Sequence, residues 1–277
     1  MIGVAGQKRV PDECLRDLRV PVVTLDRQRA IADYLDAETT RIDALIEKKR
    51  RMVEVLVDRQ AALIEQTIRS LAAEWGVRPL KYSVRKVEVG IVIKPSELYA
   101  IEGVPTIRGF NVKPGRIELR DIATISHEGD RMHAKSRLRS GDVVVVRTGQ
   151  AGAAAVVPDA LDGYNCIDLV IIRPSAVLDA KYLEFVLNSD WTQKYIDEHS
   201  VGTIQTHFNV GAMKEVPIPV PDMEMQRRVI EHLSSDVRCH GRFIEILHRQ
   251  VDLLVEHRQA LITAAVTGEL PIPGLAA

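Results

Sequence analysis

The sequence predicts an α+β protein: one mixed α/β domain with a twisted, mostly antiparallel sheet, flanked by two long helices that form an antiparallel coiled-coil hairpin. Three observations lead there. A segment near the N-terminus recurs near the C-terminus at a constant offset. The hydrophobic period in both copies is helical, and between them it changes to that of strands. The chain has 277 residues, 46% of them hydrophobic, with 37 Lys plus Arg against 38 Asp plus Glu, a globular composition and not a disordered one. Aromatic residues are only 4%, so aliphatic packing must carry the core. A formal net charge of -1 excludes a whole-molecule attraction to nucleic acid, and any such patch must be local.

The repeat organises the chain. Residues 20–64 lie on 218–262 without a gap, at an offset of 198, with identities that include Pro21/Pro219, Gln28/Gln226, Leu35/Leu233, Ile46/Ile244, Val53/Val251 and Leu56/Leu254. The run Ala62-Leu63-Ile64 matches Ala260-Leu261-Ile262. The period is too long for a solenoid and reads as a duplication. Each copy opens on a Pro-containing extended stretch, Val20-Pro21-Val22-Val23 or Val216-Pro217-Ile218-Pro219-Val220-Pro221, which cannot continue a helix. Thr24 and Asp222 are the candidate N-caps of the helices that follow. A short helix, Met223 to Leu233 in the second copy, is expected first, and then a long one. The seam of the first long helix is Ile46, Lys49, Val53, Leu56, Gln60, Leu63 and Thr67; its twin is Ile244, Leu247, Val251, Leu254, Arg258, Leu261 and Ala265. This 3-4 spacing is of heptad type. Two core helices of one domain would also fit, but Lys48-Lys49-Arg50-Arg51 and Glu256-His257-Arg258-Gln259 surround the seams with charge and favour an exposed hairpin. About 30 residues per helix make a spacer about 45 Å long. Gly268 with Pro271 and Pro273 ends the second helix, while Gly76 and Pro79 mark the way into the middle domain.

The middle domain spans 78–215, between helical repeats at 20–77 and 216–270, with a loose tail at 271–277. Runs such as Asp142-Val143-Val144-Val145-Val146-Arg147 and Cys166-Ile167-Asp168-Leu169-Val170-Ile171-Ile172 read as strands, and Ala180 to Leu187 and Trp191 to Glu198 as helices. Residues 78–150 hold 14 Lys plus Arg against 8 Asp plus Glu, whereas 151–215 hold 4 against 9. Such asymmetry suits a face that meets phosphate, although a charge run is usually a solvated surface. Three loops add to it: Ile107 to Arg116, Arg147 to Gly152, and Gly202 to His207. Each mixes donors able to hold phosphate or read base edges with turn residues that let backbone approach closely. The candidate DNA-binding residues are Lys94, Arg108, Asn111, Lys113, Arg116, Arg147, Thr148, Gln150, Thr203, Gln205 and His207.

At this point the chain resembles the specificity subunit of Type I restriction-modification systems. The resemblance is carried by Val216-Pro217-Ile218-Pro219-Val220-Pro221 followed by Glu224 and Gln226, and by the helix end from Arg258 to Gly268. Gly103-Val104-Pro105-Thr106-Ile107-Arg108 and Ser140-Gly141-Asp142-Val143-Val144 add middle-domain signatures. In that family two target-recognition domains each read half of a split DNA site, and two repeated helices hold them apart while docking methyltransferase subunits. The resemblance therefore implies double-stranded DNA, methyltransferase subunits and the restriction subunit as partners. It implies no cofactor in this chain, with S-adenosylmethionine, ATP and Mg on the partner subunits. One departure is visible: Gly6-Gln7-Lys8-Arg9 corresponds at the same offset to Ile204-Gln205-Thr206-His207. Residues 1–19 then read as the remnant of a first recognition domain, and the chain as a half-subunit or truncated form. Two copies about a two-fold axis, a homodimer, would rebuild the full arrangement and read a palindrome.

Enzyme chemistry is not expected. GxxxxGK[ST], HExxH and a strand-borne GxGxxG are absent from the sequence. His127-Glu128 with His133 has the wrong spacing for a metal site and reads as a polar loop. Asp197, His199 and Ser200 read as a helix end and not a triad. Cys14, Cys166 and Cys239 fit no zinc or CxxC spacing and read as reduced thiols of a cytoplasmic protein without membrane contact. The reading is a non-catalytic, sequence-specific DNA-recognition subunit; the competing one is a protein–protein scaffold with a helical hairpin and no DNA readout.

Overall fold

The structure is a computed structural model that describes residues 16–17, 23–92, 95–149, 151–200 and 208–273. The elements run α1 (Leu25–Trp75), β1 (Arg78–Pro79), β2 (Val84–Val89), β3 (Tyr99–Ile107), β4 (Val112–Lys113), β5 (Arg116–Ile117), β6 (Ala123–Ile125) and α2 (His127–Met132). They continue through β7 (Val143–Val146), β8 (Ala154–Val156), β9 (Asn165–Cys166), β10 (Leu169–Pro174), α3 (Ala180–Leu187), α4 (Asp190–Glu198), α5 (Val210–Glu215), β11 (Pro217–Ile218) and α6 (Met223–Thr267). The class is α+β. Two compact units share them: Leu56–Gly241 forms one, and Met1–Val55 with Arg242–Ala277 the other.

The duplication is repeated in atomic detail at the helix starts. Arg27 N donates to Thr24 Oγ1 at 3.4 Å and Met225 N to Asp222 Oδ1 at 2.8 Å, so both expected N-caps are in use. Gln28 Nε2 donates to Val23 O, and its twin Gln226 Nε2 to Pro221 O, both at 2.8 Å. The predicted break between a short and a long helix is not there. α1 is one helix of 51 residues and α6 one of 45. No proline falls inside either, and the lone Gly241 costs only about 1 kcal/mol, too little to interrupt a continuous hydrogen-bond ladder.

In the helical unit α1 and α6 run antiparallel, with Ile42 and Ile46 packed against Val251, Leu254 and Leu261. Two of the polar residues that interrupt the predicted seam, Lys49 and Arg258, act as cross-ties. Lys49 Nζ donates to Gln250 Oε1 at 2.6 Å, and Arg258 Nε meets Asp43 Oδ1 at 2.9 Å. The seam does not extend along the whole repeat: Leu63, Ile64, Ile68 and Leu71 of α1 and Val229 and Leu233 of α6 belong to the core of the globular unit.

That core is built on a four-stranded antiparallel sheet in the order β2-β10-β7-β8. All four valines of β7 are buried, because the sheet is covered on both faces. Val143, Val145, Val170 and Ile172 meet the helices, while Val144, Val146, Leu169 and Ile171 meet Ile107, Val112, Leu138 and Leu161. A strand covered on both sides needs apolar residues without alternation. A second sheet, β6-β3-β9, pairs β3 with β9 in parallel, and an isolated bridge between Ile91 and Ile167 is parallel too. The run Cys166 to Ile172, read as one strand, is broken at Asp168, whose φ of 54° ends β9 and starts β10. His127–Met132, read as loop-like, is a helix whose N-cap Ser126 accepts from Gly129 N at 3.0 Å.

Burial separates the two described cysteines. Cys166 is fully buried and its thiol is pushed far above the usual range by loss of solvent, with Asp142 adding to the effect, whereas Cys239 is exposed. Iodoacetamide at neutral pH should label Cys239 in the native protein and reach Cys166 only after denaturation; mass spectrometry of the digested protein reads this directly.

Candidate nucleic-acid interface

The site forms where β3 and β9 end side by side. Ile167 N donates to Ile107 O at 2.9 Å, and Asp168 N to Ile91 O at 3.0 Å. The next residues, Arg108 on one strand and Asp168 on the other, therefore leave the sheet together. The Asp168 carboxylate accepts from Arg147 Nη1 at 3.0 Å through Oδ1, and from the Thr148 hydroxyl through Oδ2. Arg147 in turn exchanges hydrogen bonds with Phe208, accepting from its N at 3.1 Å and donating through Nε to its O at 3.3 Å. Hydrogen bonds thus join Ile91, Ile107, Ile167, Asp168, Arg147 and Phe208 at one edge of the globular unit.

Local sequence sets the first of the three predicted loops. Arg108 Nη2 donates to Asp121 O at 2.7 Å, and its guanidinium lies 4.6 Å from the centre of the Phe110 ring. Phe110 is 47% exposed, unusual for a phenylalanine with a core available, so this edge presents a stacked arginine and aromatic to solvent. Gly109 rests on Val146, with 3.5 Å from an added Cβ to its Cγ1. The β4–β5 hairpin follows, with Lys113 opposite Arg116 across the Pro114-Gly115 turn. Gly115 has a φ of 75°, which favours glycine there.

The eleven predicted residues divide. Arg108, Lys113, Arg116, Arg147 and Thr148 lie on this edge or on the hairpin that leaves it. Asn111 is a correction: it is completely buried, its Oδ1 accepts from Arg108 N, and its Nδ2 donates to the carbonyls of Glu118 and Arg120. An amide with all its hydrogens held inside the fold has none for a base edge, so Asn111 shapes the loop instead. Arg116 is exposed but forks onto Glu118 Oε1 at 3.0 and 3.1 Å. Lys94, Gln150, Thr203, Gln205 and His207 lie outside the described residues. Among the described residues Arg108, Lys113 and Arg120 have no carboxylate partner. Sequence reasoning did not single out Phe110, Arg120, Asp121 or Asp168. The available signal for Asp168 was a charge inside an otherwise apolar run.

No family model matches the chain. It is 21% identical over 288 residues to the type I restriction enzyme MjaVIII specificity subunit of Methanocaldococcus jannaschii, covering 98% of this chain and 66% of that one. It is also 21% identical over 296 residues to the type I restriction enzyme EcoBI specificity subunit of Escherichia coli, with 95% and 60% covered. The chain is thus similar, over nearly its whole length, to type I restriction specificity subunits. It spans 60 to 66% of the length of these relatives. The fold agrees: a solved structure described as the basis of complex assembly and conformational transition of the type I R-M system superposes with a TM-score of 0.77, at 19% identity, over 94% of this chain and 64% of that one. No helix among the described residues is long and apolar enough to cross a membrane.

Proposed function

We propose that the chain is a non-catalytic DNA reader of a type I restriction-modification assembly. Its globular unit recognises one half-site through the edge around Asp168, and its paired helices dock methyltransferase subunits. The observation that carries this reading is the meeting of Arg147, Thr148 and Asp168 beside the end of β3, from which Arg108 leaves, on one edge of the globular unit. Arg108 supplies positive charge there, with no carboxylate partner among the described residues, and Phe110 a flat apolar contact, while Lys113 and Arg120 follow in the same stretch of chain. Cations position the duplex through its phosphates, whereas forked arginines and apolar groups discriminate base edges in the major groove. S-adenosylmethionine, ATP and Mg belong to the partner subunits in this scheme, and this chain holds none of them. One recognition unit reads one half-site; a bipartite target needs a second, from another chain or from a further part of the same polypeptide.

The test is selection from a random duplex pool by the protein bound to its methyltransferase subunit, at about 0.15 M salt, where sequence-independent binding is weak. Recovery of one short sequence is the expected result. Recovery of an unbiased pool would remove DNA reading and leave the protein–protein scaffold.

A further inference from the structure

Arg147 stands at this edge with its charge paired inside the protein. Its side chain keeps 18% of its exposure and its partner Asp168 keeps 36%, so the pair lies at the surface and not in the core. Asp168 is held in place independently of that pairing. Its backbone N is bonded to Ile91 O, it follows the residue bonded to Ile107, and it adopts φ 54°, a conformation that aspartate and asparagine tolerate better than other side chains. The carboxylate reaches Arg147 with one oxygen and Thr148 with the other. A surface ion pair adds little stability, so the larger effect of this one is on the charge the edge presents to a ligand.

We propose that Asp168 is a positioning residue for DNA recognition, which masks the charge of Arg147 from phosphate and fixes Thr148 at the loop start, so that sequence-independent binding is suppressed. This rests on the DNA-reading function proposed above. The mask works by charge count. An unmasked cation at a DNA-facing edge displaces one more counterion, which strengthens binding to any duplex and steepens its salt dependence by about 0.9 in the logarithmic slope. Sequence-independent affinity then rises at the expense of discrimination, because the added attraction is the same on every sequence.

The experiment measures affinity for the selected duplex and for a random duplex between about 0.05 and 0.2 M salt, using the complex with the methyltransferase subunit. Four proteins are compared: wild type, Asp168→Asn, Arg147→Met and the double variant. Asparagine keeps the backbone conformation and the hydrogen-bonding shape but removes the charge. Asp168→Asn should bind random duplex about fivefold tighter at low salt, with a slope steeper by about one, and its ratio of selected to random affinity should fall. Arg147→Met should show the shallowest slope, and the double variant should return to the wild-type slope. A structural role alone would weaken binding without ordering the slopes by charge. Equal slopes in all four proteins, or a loss of affinity in Asp168→Asn with no steepening, would overturn the proposal. If Asp168→Asn does not fold, Asp168→Gly, which removes the same charge at a φ of 54° that glycine accepts, takes its place: a slope no steeper than wild type rejects the mask. Wild type that makes no distinction between the two duplexes would defeat the DNA-reading function itself, a different failure from one confined to the variants.

Discussion

Replacing Gln226 by alanine destabilises the globular unit by about 3 kcal/mol, the sum of a small cavity and backbone groups left without partners. Gln226 is completely buried. Its Oε1 accepts from Asp179 N at 2.8 Å, and its Nε2 donates to Val177 O at 2.9 Å and to Pro221 O at 2.8 Å. One amide therefore ties the N-cap of α3 to the proline stretch that precedes α6. Glutamate at this position has the right shape but cannot donate to two carbonyls, so Gln226→Glu is expected to be as damaging at neutral pH. The repeat supplies its own control. Gln28 makes the matching bond to Val23 O in an exposed setting, where water replaces a lost partner, and Gln28→Ala should cost less than about 1 kcal/mol. Urea denaturation of the three variants measures the contrast; equal costs for Gln28→Ala and Gln226→Ala would contradict it.

Arg108 and Lys113 should fail differently when replaced. The Arg108 guanidinium is held over Phe110 and tied to Asp121 O, a preorganised fork suited to a base edge. Arg108→Ala is expected to cost about 1–3 kcal/mol on the selected duplex and to relax the sequence preference at one base pair. Lys113, on the hairpin opposite Arg116, is a point charge. Lys113→Ala should weaken binding to every duplex alike and lower the salt slope by about one. Titrations of both variants against single-base substitutions of the target distinguish them. A uniform loss for Arg108→Ala would reassign it to phosphate.

The parts of the fold that sequence made visible are those where one local rule decides the outcome. The offset between the repeats located both long helices, Thr24 and Asp222 cap them as expected, and Gly268 ends the second with a φ of 81°. The Ala180 to Leu187 helix stands as read because Asp179 caps it with bonds to Lys181 N and Tyr182 N. What failed to show depends on long-range packing. Nothing local says that Leu63 and Ile68 serve the globular core and not the helix pair. The break at Asp168 is imposed by β9 and β10 joining different sheets, a choice made by partners remote in sequence. The same limit governed the site. Of the polar residues singled out in turns, Arg147 and Thr148 meet Asp168, but Asn111 looks like a base reader in sequence and is a buried brace in space. Asp168 sits inside an apolar run and organises the edge.

Photo-crosslinking tests whether the edge around Asp168 faces DNA. A benzophenone amino acid is placed in turn at the positions of Phe110 and Val177, both about half exposed. Position 110 lies at the edge, and position 177 follows the opposite end of β10. Irradiated with the selected duplex and the methyltransferase subunit, position 110 should yield a protein–DNA adduct and position 177 none. An adduct from 177 alone would place the duplex on another face and contradict the account.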